Sequence, residues 1–204
     1  MNMLAQGQLA GVIFDLDGTL VNSYLDFDAM RSEMGILAGK PILEALEQMD
    51  GFEAARCSKI LERHELNGAT KANIITGVRD FLELIDGQHL QRAVVTRNSR
   101  SMAEVMLSRC SLQFNVVITR EDGPVKPDPW AIHHICNLWG VESKRVVVIG
   151  DFEFDIEAGK SAGATTVFFT RSRDINQLGG ASKADFVLES FVNPEKLIRE
   201  LRLA

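Results

Sequence analysis

Ile13-Phe14-Asp15-Leu16-Asp17-Gly18-Thr19-Leu20 marks the point where an apolar run gives way to two carboxylates and a glycine. Val12-Ile13-Phe14 has no polar alternation, the texture of a strand covered on both faces in a parallel sheet. A strand from Leu9 to Leu16 that ends in Asp-x-Asp-Gly-Thr sets acids and a turn at the sheet edge where open α/β folds hold their ligands. Two acids one residue apart repel each other unless a cation lies between them or one is protonated.

From Val21 to Thr76 the periodicity is helical and no strand is expected. Phe27, Met30, Met34 and Ile36-Leu37 predict a first helix, ended by Gly35 and Gly39-Lys40-Pro41. Ile42, Leu43, Leu46 and Met49 predict a second, closed by Gly51. Phe52 to Leu66 predicts a third, stopped by Asn67-Gly68, with a shorter helical piece over Ala69 to Ile75. Beyond it, helical and strand patterns alternate. Gly77 to Ile85 is amphipathic, and Ala93 to Thr96 is a strand. Ser101-Met102-Ala103-Glu104 has capping-box spacing, and Phe114 to Thr119 is a third strand. A helix opens at Asp128-Pro129. Val146 to Ile149, Ala164 to Phe169 and Phe186 to Leu188 are further strands, with a helix from Gly150-Asp151 through Ala158 between the first two. The expected fold is α/β, a Rossmann-like parallel sheet with right-handed crossovers and a small all-helical cap inserted after the first strand. The corresponding domains are a core of residues 1–20 and 77–204 and a cap of residues 21–76.

Composition narrows the function classes. The chain has 204 residues, 46% of them apolar and 25% charged, with a net charge of −6. No apolar run approaches the roughly 18 residues of a membrane span, and an acidic chain lacks the basic footprint of unspecific nucleic-acid binding. Met1 to Gln6 shows neither a secretion signal nor a transit peptide, so a cytoplasmic protein is expected. Cys57, Cys110 and Cys136 are an odd number without framework spacing, as fits packed thiols in a reducing compartment. His133 and Cys136 lie three apart on a helix, but no second ligand pair follows to complete a zinc site.

Polar residues end four of the predicted strands. Taken singly, each has an ordinary explanation: turn formers at Asp15 and Asp17, a strand-end Thr96, a solvated Lys126, and a helix cap at Asp151 before Glu153, Asp155 and Glu157. In a parallel sheet, however, the carboxyl ends of all strands share one edge, where Asp15, Asp17, Thr96, Lys126, Asp151 and Asp155 converge. Together they supply a carboxylate nucleophile, a second acid, a hydroxyl, an ammonium and further acids for a cation.

Asp15-Leu16-Asp17-Gly18-Thr19-Leu20, Thr96, Lys126 before Pro127, and Gly150-Asp151-Phe152-Glu153-Phe154-Asp155 resemble the four ordered motifs of the haloacid dehalogenase superfamily of hydrolases. The helical stretch after the first motif resembles that superfamily's cap. In pattern the chain is similar to small phosphatases of the phosphoglycolate phosphatase kind. The resemblance implies that Asp15 attacks phosphorus to form an aspartyl-phosphate and that Asp17 acts as acid and then base. It implies that Thr96 and Lys126 hold the phosphoryl oxygens. Mg2+ would be held by Asp15, Asp151 and the backbone carbonyl of Asp17, with Asp155 supporting that shell or orienting Lys126. One departure stands out: Arg97 separates Thr96 from Asn98, where many relatives have the Asn directly. Asn98 is read as still facing the site. Arg97 is read as facing the cap or an anionic substrate group, or as a plain surface arginine. Arg31, Lys40 and Lys71 are cap candidates for substrate contact.

The implied function is magnesium-dependent hydrolysis of a small phosphorylated metabolite by a monomer or homodimer. The alternatives are a sugar phosphomutase of the same fold and a non-catalytic phosphate-binding protein. A carbon-halogen hydrolase would not need Asp17 as an acid. A signalling receiver domain does not suit the chain order, in which Thr96 and Lys126 precede the second acidic cluster.

Overall fold

The structure is a computed structural model that describes residues 9–192 and 194–201; the leader reading of Met1 to Gln6 lies outside them. In chain order the elements are β1 (Gly11–Phe14), β2 (Val21–Asn22), α1 (Phe27–Met34), α2 (Ile42–Glu47), α3 (Gly51–Ala69), β3 (Asn73–Ile74), α4 (Val78–Gly87), β4 (Gln91–Val95), α5 (Arg100–Arg109), β5 (Val116–Ile118), α6 (Trp130–Trp139), β6 (Val146–Gly150), α7 (Glu153–Ala162), β7 (Thr165–Phe169), β8 (Phe186–Leu188) and α8 (Glu195–Leu201). Six strands form one sheet in the order β5-β4-β1-β6-β7-β8, and every pairing in it is parallel.

β1 lies between β4 and β6, and its side chains divide between two cores as the period of a strand requires. Val12 and Phe14 join Phe81 and Ile85 of α4 and Met102 and Met106 of α5 on one face. Ile13 joins Ala131, Ile132 and Ile135 of α6 and Ala158 of α7 on the other. Burial on both faces is why β1 and β6 read as unbroken apolar runs. Because Phe14 is level with Val94 and with Ile149, and β4 and β6 each run one residue further, the residues after the three strands emerge within one residue of the same height.

The helices between β2 and β3 have an apolar cluster of their own, built on Met30, Met34, Ile42, Cys57 and Leu61. Several local expectations are corrected here. The stretch from Val21 to Thr76 is not free of strands, because Val21 and Asn22 pair antiparallel with Ile74 and Asn73. These two short strands stand where the chain leaves the sheet and returns to it, and β3 replaces the helical piece expected over Ala69 to Ile75. Gly51 does not close α2 but opens α3, whose cap is Asp50, with its carboxylate accepting from the amides of Phe52 and Glu53. The first helix ends at Gly35, in the left-handed conformation, before Gly39 is reached. At α5 the capping serine is Ser99, two residues earlier than the box at Ser101 suggested.

α3 also runs through Asn67-Gly68 instead of stopping there. Gly68 serves close packing: a Cβ on it would lie 2.7 Å from the Leu25 side chain and 3.0 Å from the Ser23 carbonyl oxygen. Gly68→Val is therefore expected to destabilise the protein by about 1–3 kcal/mol through overpacking, read as a lowered melting temperature. An unchanged melting temperature would show that residues 23–25 yield without cost.

Candidate active site

At the carboxyl edge of the sheet, Asp15 follows β1 and donates its amide to the Ile149 carbonyl at 2.9 Å, while Thr96 follows β4 and donates its amide to the Ile118 carbonyl at 2.9 Å. Lys126 lies in the loop after β5, Asp151 directly follows β6, and Asp155 lies in the first turn of α7. All line one cavity of about 520 Å³ between this edge and the helices of residues 27–69, together with Asp17, Arg97 and Asn98. The sequence-predicted residues are thus brought together. Of the cap candidates, Arg31 and Lys40 line the cavity, and Lys71 is not among its lining residues.

Lys126 is the hub. Its buried ammonium donates to Asp15 Oδ1 at 2.6 Å, to Asp155 Oδ1 at 2.6 Å and to the Val95 carbonyl at 2.7 Å. Burial alone pulls an ammonium's pKa down, but the two carboxylates more than reverse this and hold it above the usual value. Asp155 uses its other oxygen to accept from the Phe152 amide at 3.1 Å, so it caps α7 and orients Lys126 together. One ammonium cannot offset three carboxylates. Asp15 is accordingly raised well above the usual carboxylate range, first by burial and then by Asp155 and Asp151 against the opposing pull of Lys126. Asp151 is raised to about 6 by burial and by Asp155, with Arg173 and Arg171 pulling the other way.

Oxygen atoms of Asp15, Asp151 and Asp155 lie within 4.8 Å of one another. This all-oxygen set suits a hard divalent cation, and such a cation offsets the repulsion among its carboxylates. Gly18 brings the chain after Asp17 against the same group. It is left-handed, with φ of 87°, and a Cβ there would fall 2.5 Å from an Asp151 oxygen. No side chain but hydrogen fits this contact.

Three partners were not foreseen from sequence. Ser23 holds the Asp17 carboxylate, with its hydroxyl 2.6 Å from each oxygen. Burial raises the Asp17 carboxyl, and the Ser23 bonds offset part of that rise. Arg173 reaches Asp151 Oδ2 at 3.1 Å. Glu44 is the third: Arg97 turns to the helical insertion, one of the orientations expected for it, and its Nη2 donates to both Glu44 oxygens at 2.8 and 2.7 Å. None of these is carried by a fixed spacing from the strand-end motifs. Asn98 folds back on Thr96, donating its amide and its side-chain nitrogen to Oγ1 at 3.1 and 3.2 Å, so Asn98 stays beside the strand end despite the intervening Arg97.

The profile of the haloacid dehalogenase-like hydrolases matches residues 12–169 of this chain. The chain belongs to that family. Phosphatases are among the relatives of this haloacid dehalogenase-like hydrolase. It is 26% identical to a phosphoglycolate phosphatase of Mannheimia succiniciproducens, in a match covering 96% of this chain and 100% of the relative. It is 32% identical to a haloacid dehalogenase-like hydrolase domain-containing protein of Arabidopsis thaliana, over 79% of this chain and 71% of that protein. A crystal structure of a hydrolase from Pseudomonas syringae shares the fold with a TM-score of 0.77 at 23% identity, covering 94% of this chain and 98% of the other. Among the described residues no helix is long and apolar enough to cross a membrane.

Proposed function

We propose that this hydrolase cleaves a small phosphomonoester, of the phosphoglycolate kind, through an aspartyl-phosphate on Asp15. The observation that carries this reading is the buried Lys126 held between Asp15 and Asp155, 2.6 Å from each. An ammonium so placed draws the phosphoryl oxygens toward the Asp15 carboxylate and offsets charge as the phosphorus–oxygen bond forms. Thr96 Oγ1 and the Asn98 side chain, both buried at the same edge, are assigned to the remaining phosphoryl oxygens.

Asp15 Oδ attacks phosphorus in line as the ester bond to the leaving oxygen breaks. Asp17, raised by burial, is assigned the proton given to that oxygen and, once ionised, the proton taken from the water that hydrolyses the acyl-phosphate. Ser23 fixes the Asp17 carboxylate through both oxygens. A Mg2+ ion would be held by Asp15, Asp151 and the carbonyl of Asp17, and supplies charge neutralisation and orientation for the phosphoryl group. Residues 21–76 are read as the cap that closes over the reacting phosphate and excludes water. We read the protein as cytoplasmic.

The test is phosphate release from a panel of small phosphomonoesters with magnesium and with chelator. Activity is expected with the metal only, and metal-independent turnover would overturn the mechanism. The sign of the pH dependence follows from Asp151 at about 6. Protonated Asp151 is a poor ligand, so magnesium affinity, read by calorimetry, is expected to weaken as pH falls through that value. Net isomerisation of a hexose phosphate without phosphate release would favour the phosphomutase instead.

A further inference from the structure

Arg97, which separates Thr96 from Asn98, uses both of its terminal nitrogens and its guanidinium carbon in contacts. Its Nη2 meets both oxygens of Glu44 on α2, at 2.8 and 2.7 Å. Its Nη1 donates to the backbone carbonyl of Lys126. Its guanidinium lies over the Phe154 ring, 4.8 Å from the centroid, at the start of α7. One side chain thus touches the helical insertion, the loop that follows β5 and the first turn of α7, while its own backbone follows β4. An isolated ion pair between exposed groups is weak. This pair is not isolated, because the guanidinium carbon lies 4.8 Å from the centroid of the Phe154 ring and its second nitrogen is tied to the residue that carries the Asp15 and Asp155 contacts.

We propose that Arg97 is a positioning residue that couples docking of α2 to the placement of Lys126, with Glu44 as the contact that reports the docked insertion. When Glu44 leaves, Arg97 loses the partner that fixes its Nη2 edge, and the Lys126 carbonyl loses a donor held in one orientation. The Lys126 ammonium, which must meet Asp15 and Asp155 at once, is then set less tightly. This inference rests on the phosphatase reading only in taking Lys126 as a group at the reacting phosphate.

The experiment compares the unmodified full chain with Glu44→Gln, Arg97→Met and the double variant. Two readouts are taken: backbone hydrogen exchange without substrate, and hydrolysis of 4-nitrophenyl phosphate with magnesium at low and high ionic strength. Glu44→Gln is expected to speed exchange in Ile42–Glu47 and also at Val125, Lys126 and Asp128, which lie outside the insertion. It is expected to lower kcat by about tenfold, the scale of a small misplacement near the reacting group. The double variant should match Arg97→Met, since both substitutions cut the same link. Added salt should lower kcat of the unmodified protein more than that of Arg97→Met. A merely structural ion pair predicts faster exchange in α2 alone and an unchanged kcat, and either result overturns the coupling. So do losses that multiply in the double variant. If the unmodified protein hydrolyses no phosphomonoester, the phosphatase reading fails separately, and the exchange at Val125 to Asp128 still decides the coupling.

Discussion

With Asp15 replaced by Asn, phosphate release is expected to fall on the order of 10⁴-fold or more, as when a covalent nucleophile is removed, while the fold survives. The amide is close in shape to the carboxylate but is neutral, and its oxygen is too weak a nucleophile to take the phosphoryl group. Two features of the site make the accompanying stability change informative. Asp15 is buried among Asp151 and Asp155, so its charge is held at a cost and its carboxyl is raised well above the usual range. Lys126 keeps Asp155 as a partner at 2.6 Å when the Asp15 charge is gone. In metal-free buffer Asp15→Asn should therefore melt at or above the temperature of the unmodified protein, and magnesium should stabilise it less. Loss of activity together with loss of fold would leave the nucleophile unassigned, whereas equal activity would remove Asp15 from that role. Mass spectrometry of acid-quenched enzyme adds a direct readout: the phosphorylated peptide spanning Asp15 should form in the unmodified protein and not in the variant.

The strand ends were legible because their signal is local and physical. β1 and β6 are buried on both faces, so their apolar runs are unbroken, and the first polar residue after each can only be at the sheet edge. A parallel sheet then brings Asp15, Thr96 and Asp151 to one side whatever lies between them in sequence. Most of the features that escaped notice depend on partners far along the chain. β2 and β3 have two residues each and pair across about fifty positions, too short for any periodicity to show. Asn67-Gly68 has the composition of a helix stop, but Leu25 and Ser23 press on Gly68 from outside the helix, and tertiary packing overrides local propensity there. Ser23 on Asp17 joins two loop residues six apart, and Glu44 on Arg97 joins a helix to a strand-end loop, so neither contact follows a helical or strand period. The site's acids, its lysine and the support of Asp155 for that lysine could be read from sequence; Ser23, Glu44 and Arg173, which hold other site residues in place, could not.

Lys126→Met should produce the second large effect, and its sign with pH distinguishes the lysine's charge from its bulk. Met retains much of the aliphatic stem and removes only the ammonium, leaving Asp15 and Asp155 facing each other in a buried site without their shared counter-charge. Breaking a buried ion pair from one side costs about 3–5 kcal/mol, because the remaining charge is uncompensated. Activity should fall as well, on the order of 10²–10³-fold, the scale seen when one preorganised donor to a developing charge is lost. Without Lys126, the opposing pull on Asp15 disappears, so that carboxyl rises further above its unfolded value. A carboxyl raised by folding contributes stability that is present below its unfolded pKa and is lost as pH rises through its folded pKa. The melting-temperature deficit of the metal-free variant should therefore be largest at neutral pH and shrink toward mildly acidic pH, as the raised carboxyls of Asp15 and Asp151 take up protons. Thermal unfolding of both proteins in chelator across that range measures it. A deficit that does not vary with pH would mean that lost packing of the stem, and not the uncompensated charge of Asp15 and Asp155, dominates the role of Lys126 in the fold.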